Sequence, residues 1–410
     1  MRRTFARLTR LFNRVTVALV LGQLAAVIAI TVTEASRKKH RKLRRFPVTP
    51  PEPIAFESSE LTIYTYGEHV FDDMIEAIDF AQERVYFETF IWKGDDEGQR
   101  FMDALIRAAD RGVEVHVIWD EFANLVVPPK FYQQLPDRIR TLRLPAMPIP
   151  WSPRTWGRDH RKLLVVDGVI GFIGGYNIGS LYATDWRDTH ARIVGPGAAE
   201  IENAFIDFWN LHTGRRRRRI EHNPKRTWQT RMWVHRNVPR LQVYPIRNMY
   251  LEAIDRASER IWFTHAYLIP DEDLIRALRD ACRRGVDVRI IVPAVSNHVV
   301  ADWLSRGFYT TLLEAGIKLY LFQGAMVHAK TATIDGSWST IGTANIDRLS
   351  LWGNYEINLE IADPHVAERM EEIFLTDQSN TVQLNEERWA RRSWVAKLTE
   401  LFLSPLRPLF

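Results

Sequence analysis

Cysteine is almost absent from this chain of 410 residues, Cys282 being the only one. That excludes a disulfide framework and any multi-cysteine metal site. Neither an HExxH motif nor a Cys/His zinc spacing is present, so neither metal nor cofactor is expected. Net charge is small as well, a formal +5, and the basic residues are concentrated at the N-terminus, at Arg215 to Arg219 and at the C-terminus. Charge is missing altogether from Val15 to Thr33, a run long enough to cross a bilayer core. An apolar run of this length followed at once by Arg37, Lys38 and Lys39 reads as an uncleaved anchor rather than a signal peptide. The heavier basic flank on its C-terminal side predicts a single-pass cell-membrane protein with a cytoplasmic catalytic domain.

What the chain does have is a repeat. His160-Arg161-Lys162-Leu163-Leu164-Val165-Val166-Asp167-Gly168 is echoed by His328-Ala329-Lys330-Thr331-Ala332-Thr333-Ile334-Asp335-Gly336. Asn177 and Asp188 follow the first copy, and Asn345 and Glu356 follow the second at the same offsets. His and Lys two apart in an apolar, β-branched run share one strand face. Asp-Gly then closes a hairpin, with Val169–Phe172 and Trp338–Ile341 returning antiparallel. Upstream segments repeat too: Glu76-Ala77-Ile78-Asp79 returns as Glu252-Ala253-Ile254-Asp255, and Arg111-Gly112-Val113 as Arg284-Gly285-Val286.

Strand and helix patterns alternate from Leu61 onward: a strand over 61–64, a helix over 70–84, a strand over 85–92, a helix over 99–111 and a strand over 113–119. The expected fold is α/β, two homologous halves with mixed sheets and helices on both faces, sharing one site on a pseudo-twofold axis. The expected boundaries are a membrane anchor over 1–46, a proline-rich linker over 47–57, halves over 58–235 and 236–380, and a basic, aromatic tail over 381–410. Trp394, Leu398 and Leu401 give that tail helical spacing, suiting either an interfacial helix or a terminal helix packed on the domain. Arg215 to Arg219 reads as a solvated loop, as a patch for anionic lipid headgroups, or as a nucleic-acid contact.

Two histidines, two lysines, two asparagines and two carboxylates, one of each per half, suit a phosphodiester exchanged in two displacements. One imidazole attacks phosphorus while the other protonates the departing oxygen. Lys162, Lys330, Asn177 and Asn345 would bind the nonbridging oxygens. Asp188 and Glu356 are the candidates to orient the imidazoles, Asp188 being assigned to the first histidine, His160. Asp167 and Asp335, at the hairpin turns and an odd number of residues from the histidines, read as turn anchors.

The doubled His-x-Lys-x4-Asp pattern resembles the phospholipase D superfamily, in which Asp167 and Asp335 would count among the catalytic motif residues with His160, Lys162, His328 and Lys330. Within it, Gly174-Gly175-Tyr176-Asn177-Ile178-Gly179, Trp186-Arg187-Asp188-Thr189-His190 and Gly342-Thr343-Ala344-Asn345-Ile346-Asp347 are similar to bacterial cardiolipin synthases. The resemblance implies two fused halves, a phosphohistidine intermediate, His160 as nucleophile and His328 as acid and base; sequence symmetry alone does not choose between the histidines. Leu349 between Arg348 and Ser350 departs from the family pattern, as does a single N-terminal apolar segment. The expected activity is phosphatidyl transfer between two phosphatidylglycerol molecules with release of glycerol, acting on anionic membrane phospholipids and not on nucleic acid. Hydrolysis of phospholipid to phosphatidic acid is the first alternative, followed by a nuclease and by a membrane scaffold with a vestigial site.

Overall fold

The computed structural model describes residues 22–24, 28, 32, 45–147, 157–213, 219–222 and 231–409. Most of the segment expected to cross the membrane, and Arg215 to Arg218, lie outside the described residues. Among the described residues no helix is long and apolar enough to cross a membrane.

Two eight-stranded mixed sheets carry the chain. The first contains β1 (Pro53–Phe56), β2 (Ser59–Tyr64), β3 (Arg84–Thr89), β4 (Glu114–Asp120), β5 (Arg140–Leu144), β6 (Leu163–Val166), β7 (Ile170–Gly174) and β9 (His190–Val194), in the order β1-β2-β9-β7-β6-β3-β4-β5. The second contains β10 (Met232–Asn237), β11 (Arg260–His265), β12 (Asp287–Pro293), β13 (Lys318–Phe322), β15 (Lys330–Ile334), β16 (Trp338–Gly342), β17 (Glu356–Ile361) and β18 (Thr381–Leu384), in the order β10-β17-β16-β15-β11-β12-β13-β18. In each, a parallel trio (β3-β4-β5, β11-β12-β13) adjoins an antiparallel set that includes the motif hairpin. Two short strands, β8 (Trp186–Arg187) and β14 (Met326–Val327), pair in parallel across the halves.

The helices of the first half are α1 (Gly67–Phe80), α2 (Asp96–Asp110), α3 (Pro129–Tyr132), α4 (Ser180–Thr184) and α5 (Ala198–His212). Those of the second are α6 (Pro245–Arg256), α7 (Glu272–Arg283), α8 (Val299–Glu314), α9 (Arg348–Trp352), α10 (Pro364–Ser379), α11 (Glu386–Ala390) and α12 (Trp394–Leu403). Spacing explains their packing: Val70, Phe71, Met74, Ala77 and Ile78 form the buried stripe of α1, and Leu274, Ile275, Leu278 and Ala281 that of α7. Asp95 and Asp271 cap α2 and α7 by accepting from Gly98 N and Leu274 N. Both sheet faces are covered, because alternate residues enter different cores. Phe87 and Leu164 join the α1/α2 side, whereas Tyr86, Leu163 and Val165 join a cluster that also holds Ile341, Ile357 and Leu359 of the second half. That shared cluster welds the halves.

Two expected boundaries fall within the sheets. Pro53–Phe56, placed in the linker, pairs with β2 as an edge strand, a position where proline costs no ladder bond. Strand β10 straddles the expected 235/236 division and belongs wholly to the second sheet, through its pairing with β17. The tail begins with β18, paired to β13, and α12 then packs its Leu403 side among Ala301 and Leu304 of α8 while Trp394 and Leu401 stay exposed.

Candidate active site

Each motif hairpin forms because its strand residues are apolar and its turn residues accept a positive φ. Asp167 and Gly168 adopt φ 52° and 68°, and Asp335 and Gly336 φ 51° and 59°, the left-handed pair that a two-residue turn requires. The two turn carboxylates stay far from the chemistry. Asp167 accepts from Gln82 N (2.9 Å), Glu83 N and Arg84 N (both 2.8 Å). Asp335 accepts from Ser258 N (2.7 Å), Glu259 N (2.9 Å) and Arg260 N (2.8 Å). Both tie the hairpin to the start of the neighbouring strand, so the geometry favours the turn-anchor reading over the catalytic one.

At the other end of the hairpins the halves exchange partners. His160 N donates to Tyr355 O (3.0 Å) and Tyr355 N to Arg158 O (2.8 Å), so the residues before β6 run beside those before β17. Symmetrically, His328 N donates to Arg187 O (2.7 Å) beside the β8–β14 pair. Each histidine therefore lies against the carboxylate of the opposite half. His160 Nδ1 is 3.0 Å from both Glu356 oxygens, and His328 Nδ1 is 2.6 Å from Asp188 Oδ2. The expectation that Asp188 serves His160 is corrected. Equal offset in sequence does not survive a two-fold axis that crosses the pairs over. With Nδ1 committed, Nε2 is the nitrogen left for chemistry on each ring.

The surroundings of the two carboxylates differ. Gly175 leaves room for Asp188, since a Cβ there would stand 2.0 Å from its Oδ1. Thr343, the matching residue, donates its hydroxyl to Glu356 (2.5 Å). Burial alone would raise Asp188, but Lys330 and His328 outweigh it and hold the carboxyl below its ordinary range. Burial pushes Glu356 up to about 8, against Lys162 and the Thr343 and Ser350 hydroxyls. Burial and then Lys162 drive His160 well below its usual value, and burial and Lys330 bring His328 to about 3, so both rings are neutral at pH 7. Burial also lowers Lys162 to about 7 and Lys330 to about 8.

Both lysines curl back onto their own motif. Lys162 Nζ donates to His160 O (2.5 Å) and lies 5.2 Å from the Phe90 ring centre, while Lys330 donates to His328 O. Asn177 Oδ1 accepts from Ile91 N (3.2 Å), which leaves its amide hydrogens to face elsewhere. Asn345 is buried and its Oδ1 has no partner among the described residues. Aromatic rings wall the histidines: Phe90 at 4.8 Å from His160 and Trp186 at 5.0 Å from His328. The outcome is a buried site with two neutral imidazoles, two lysines and two amides, suited to an anionic tetrahedral group. Among the described residues no cluster of His, Cys, Asp and Glu could hold a metal.

Two supporting networks escape sequence reasoning. Arg187 makes a bidentate, fully buried pair with Asp377 (2.8 and 2.7 Å) that crosses the halves and fixes the end of β8, next to Asp188. Arg161 does the same with Glu88 (2.7 and 2.6 Å), stacks over Phe208 and sits beside Asp159, whose carboxyl is pushed well above its ordinary range by burial and by Glu88. In the second copy Val327 and Ala329 replace Asp159 and Arg161. That break in the repeat is the only sequence signal of the cluster.

A two-sheet, two-hairpin enzyme fold with crossed His–carboxylate pairs defines a phospholipase D-like protein. The family described as "Cardiolipin synthase, PLD-like domain" matches residues 74–209 and 250–378, and the chain belongs to that family. It is 30% identical over 367 residues to the major cardiolipin synthase ClsA of Bacillus subtilis, covering 86% of this chain and 76% of that protein. It is 29% identical over 397 residues to the cardiolipin synthase of Listeria welshimeri, covering 92% and 81%. Phosphatidylserine synthase of Haemophilus influenzae shares the fold, with a TM-score of 0.67 at 15% identity over 92% of this chain and 97% of that one.

Proposed function

We propose that the protein is a phosphatidyltransferase that moves a phosphatidyl group from one phosphatidylglycerol to a hydroxyl of another, forming cardiolipin and glycerol. The observation that carries this reading is the crossed pairing of His160 with Glu356 and His328 with Asp188 inside one buried cationic site, in a chain of the cardiolipin synthase family. His160 is the more accessible ring, 12% exposed against 6% for His328, and is assigned the attack on phosphorus. In that step the Nε2–P bond forms as the glycerol P–O bond breaks, and His328, which takes up a proton on Nε2 when the phosphodiester anion binds and is held cationic by the Asp188 carboxylate, delivers that proton to the departing oxygen. In the second step His328 takes the proton of the incoming hydroxyl, whose oxygen displaces Nε2 from phosphorus. Lys162, Lys330 and the asparagine amides hold the nonbridging oxygens throughout. The Trp186 and Phe90 rings beside the histidines limit water, which favours transfer over hydrolysis.

The lipid substrate calls for placement at a bilayer, and the charge-free 15–33 segment is assigned as its anchor. The outward Trp394, Leu398 and Leu401 of α12 support a second contact with the interface, and Gln23 donates to Phe402 O beside it (3.4 Å). The test is incubation of the purified protein with phosphatidylglycerol vesicles in the presence of chelator, with products resolved by mass. Cardiolipin with free glycerol is expected. Phosphatidic acid would replace transfer by hydrolysis, and no lipid product would overturn the lipid reading.

A further inference from the structure

The two halves differ between the second and third strands of their parallel trios. The second half fills that connection with α8, whose Leu304, Tyr309 and Leu312 are buried. The first half places only the one-turn α3 between β4 and β5, and a cavity of about 780 Å³ remains there, well within the size range of small-molecule sites. Leu125, Val127, Leu135 and Ile139 supply apolar wall. Arg140 and Arg143, 48% and 62% exposed, line it as well, in surface ion pairs with Glu114 (2.8 Å) and Glu121 (3.3 Å). Such exposed pairs are weak and exchange readily for a better anion.

A separate observation points to an occupant. Trp209 lines this cavity, is buried, and its indole Nε1 has no hydrogen-bond partner among the described residues. A buried N–H without an acceptor is unfavourable, and a small shift of the indole would turn it to a carbonyl oxygen brought in by a ligand. The loop beside the cavity also exposes apolar side chains, Leu125 and Val126 being 67% and 79% exposed, a composition suited to contact with acyl chains.

We infer that this cavity binds one acidic phospholipid, with acyl chain on the apolar wall, an ester carbonyl on Trp209 Nε1 and the phosphate at Arg140 and Arg143, apart from the phosphate that reacts. Two residues, Asn124 and Phe90, connect the cavity to His160. Asn124, which lines it, donates to Phe90 O (2.8 Å) and accepts from Trp92 N (2.8 Å), and the Phe90 ring lies against His160. Occupancy would therefore brace the wall of the His160 pocket. The inference rests on the phosphatidyltransferase reading for its choice of lipid, and binding is measured separately from turnover.

The experiment photolabels the full-length protein in detergent micelles with a phosphatidylglycerol carrying a diazirine at its chain end, then maps the modified peptides by mass. Modification is expected within residues 119–146, undiminished in the inactive His328→Ala variant. Leu135→Trp, which fills the cavity, and Arg143→Glu, which reverses the rim charge, should each lower it about tenfold, the equivalent of about 1.4 kcal/mol. Near-ultraviolet dichroism identifies a variant that has not folded, and Arg143→Glu on the surface then carries the test alone. Modification confined to peptides bearing His160 or His328, insensitivity to both substitutions, or equal labelling by a phosphatidylcholine probe would each overturn the inference. Labelling of 119–146 in a protein that makes no cardiolipin would leave this site standing and remove the transferase reading instead.

Discussion

Glu356 of the second half holds the ring of His160 in the first, with both carboxylate oxygens 3.0 Å from Nδ1. Asp188 repays the arrangement at His328 (2.6 Å). Neither half supplies both members of a His–carboxylate pair. The crossing makes the two carboxylates separable by experiment, because the proposed roles of their histidines differ. Asp188→Asn should slow turnover of phosphatidylglycerol by about 10²–10⁴, the usual worth of a general acid. It should do little to the single-turnover burst of nitrophenol from a p-nitrophenyl phosphodiester, whose leaving group needs no proton and which precedes the step in which His328 acts as base. Glu356→Gln should slow both substrates. Equal losses with both substrates for Asp188→Asn would sever Asp188 from acid catalysis.

The site also fixes a pH response. Glu356, raised to about 8, keeps its proton below that pH, and the carboxylate that draws Nδ1–H and frees Nε2 of His160 grows in as pH rises. Lys162 and Lys330, lowered to about 7 and 8, lose their charge over the same range as pH rises. For the free enzyme kcat/KM should therefore be bell-shaped with a narrow maximum between about pH 7 and 8, its limbs belonging to the cluster rather than to single residues. Lys330→Arg, which cannot deprotonate in this range, should make the alkaline limb shallower and leave the part that Lys162 contributes. A flat profile from pH 6 to 9 would contradict the assignment.

Asp167→Ala removes the acceptor of three backbone N–H groups and leaves the histidines untouched. Urea denaturation should show a loss of about 1–3 kcal/mol, with kcat per folded molecule within about twofold of the parent. A hundredfold loss of kcat in a stable protein would restore Asp167 to the catalytic group.

Arg187 and Asp377 form a buried pair across the halves. Arg187→Met should cost about 3–5 kcal/mol by stranding a buried carboxylate, whereas Arg187→Met with Asp377→Leu should recover most of it. Activity should stay low in the double variant, since Arg187 also donates to Asp188 O. A double variant with full activity would make the pair purely structural.

How much of this was readable beforehand depends on the range of the interaction. The hairpins were legible because strand alternation and Asp-Gly turns are local, and the two halves because whole segments repeat in register. The chemistry proposed for His160, Lys162, His328 and Lys330 rests on residue type. The pairing of carboxylate to histidine did not, since register compares equivalent positions while contact across a two-fold axis joins non-equivalent ones. Strand β1 was hidden by its prolines, which read as a linker until the edge position is known. The Arg161–Glu88–Asp159 cluster left a trace only as Val327 and Ala329 in the second copy, and apolar residues in a strand ordinarily attract no notice.

The central claim is that the phosphatidyl group rests on His160 between two displacements, and quenching with denaturant at neutral pH during turnover of phosphatidylglycerol labelled at phosphorus tests it directly. After proteolysis, mass mapping should find an acid-labile phosphatidyl adduct on the peptide containing His160, increased in His328→Ala given an activated donor and absent in His160→Ala. An adduct on the His328 peptide that persists in His160→Ala would reverse the two roles, and turnover with no protein-bound phosphorus at all would contradict the account.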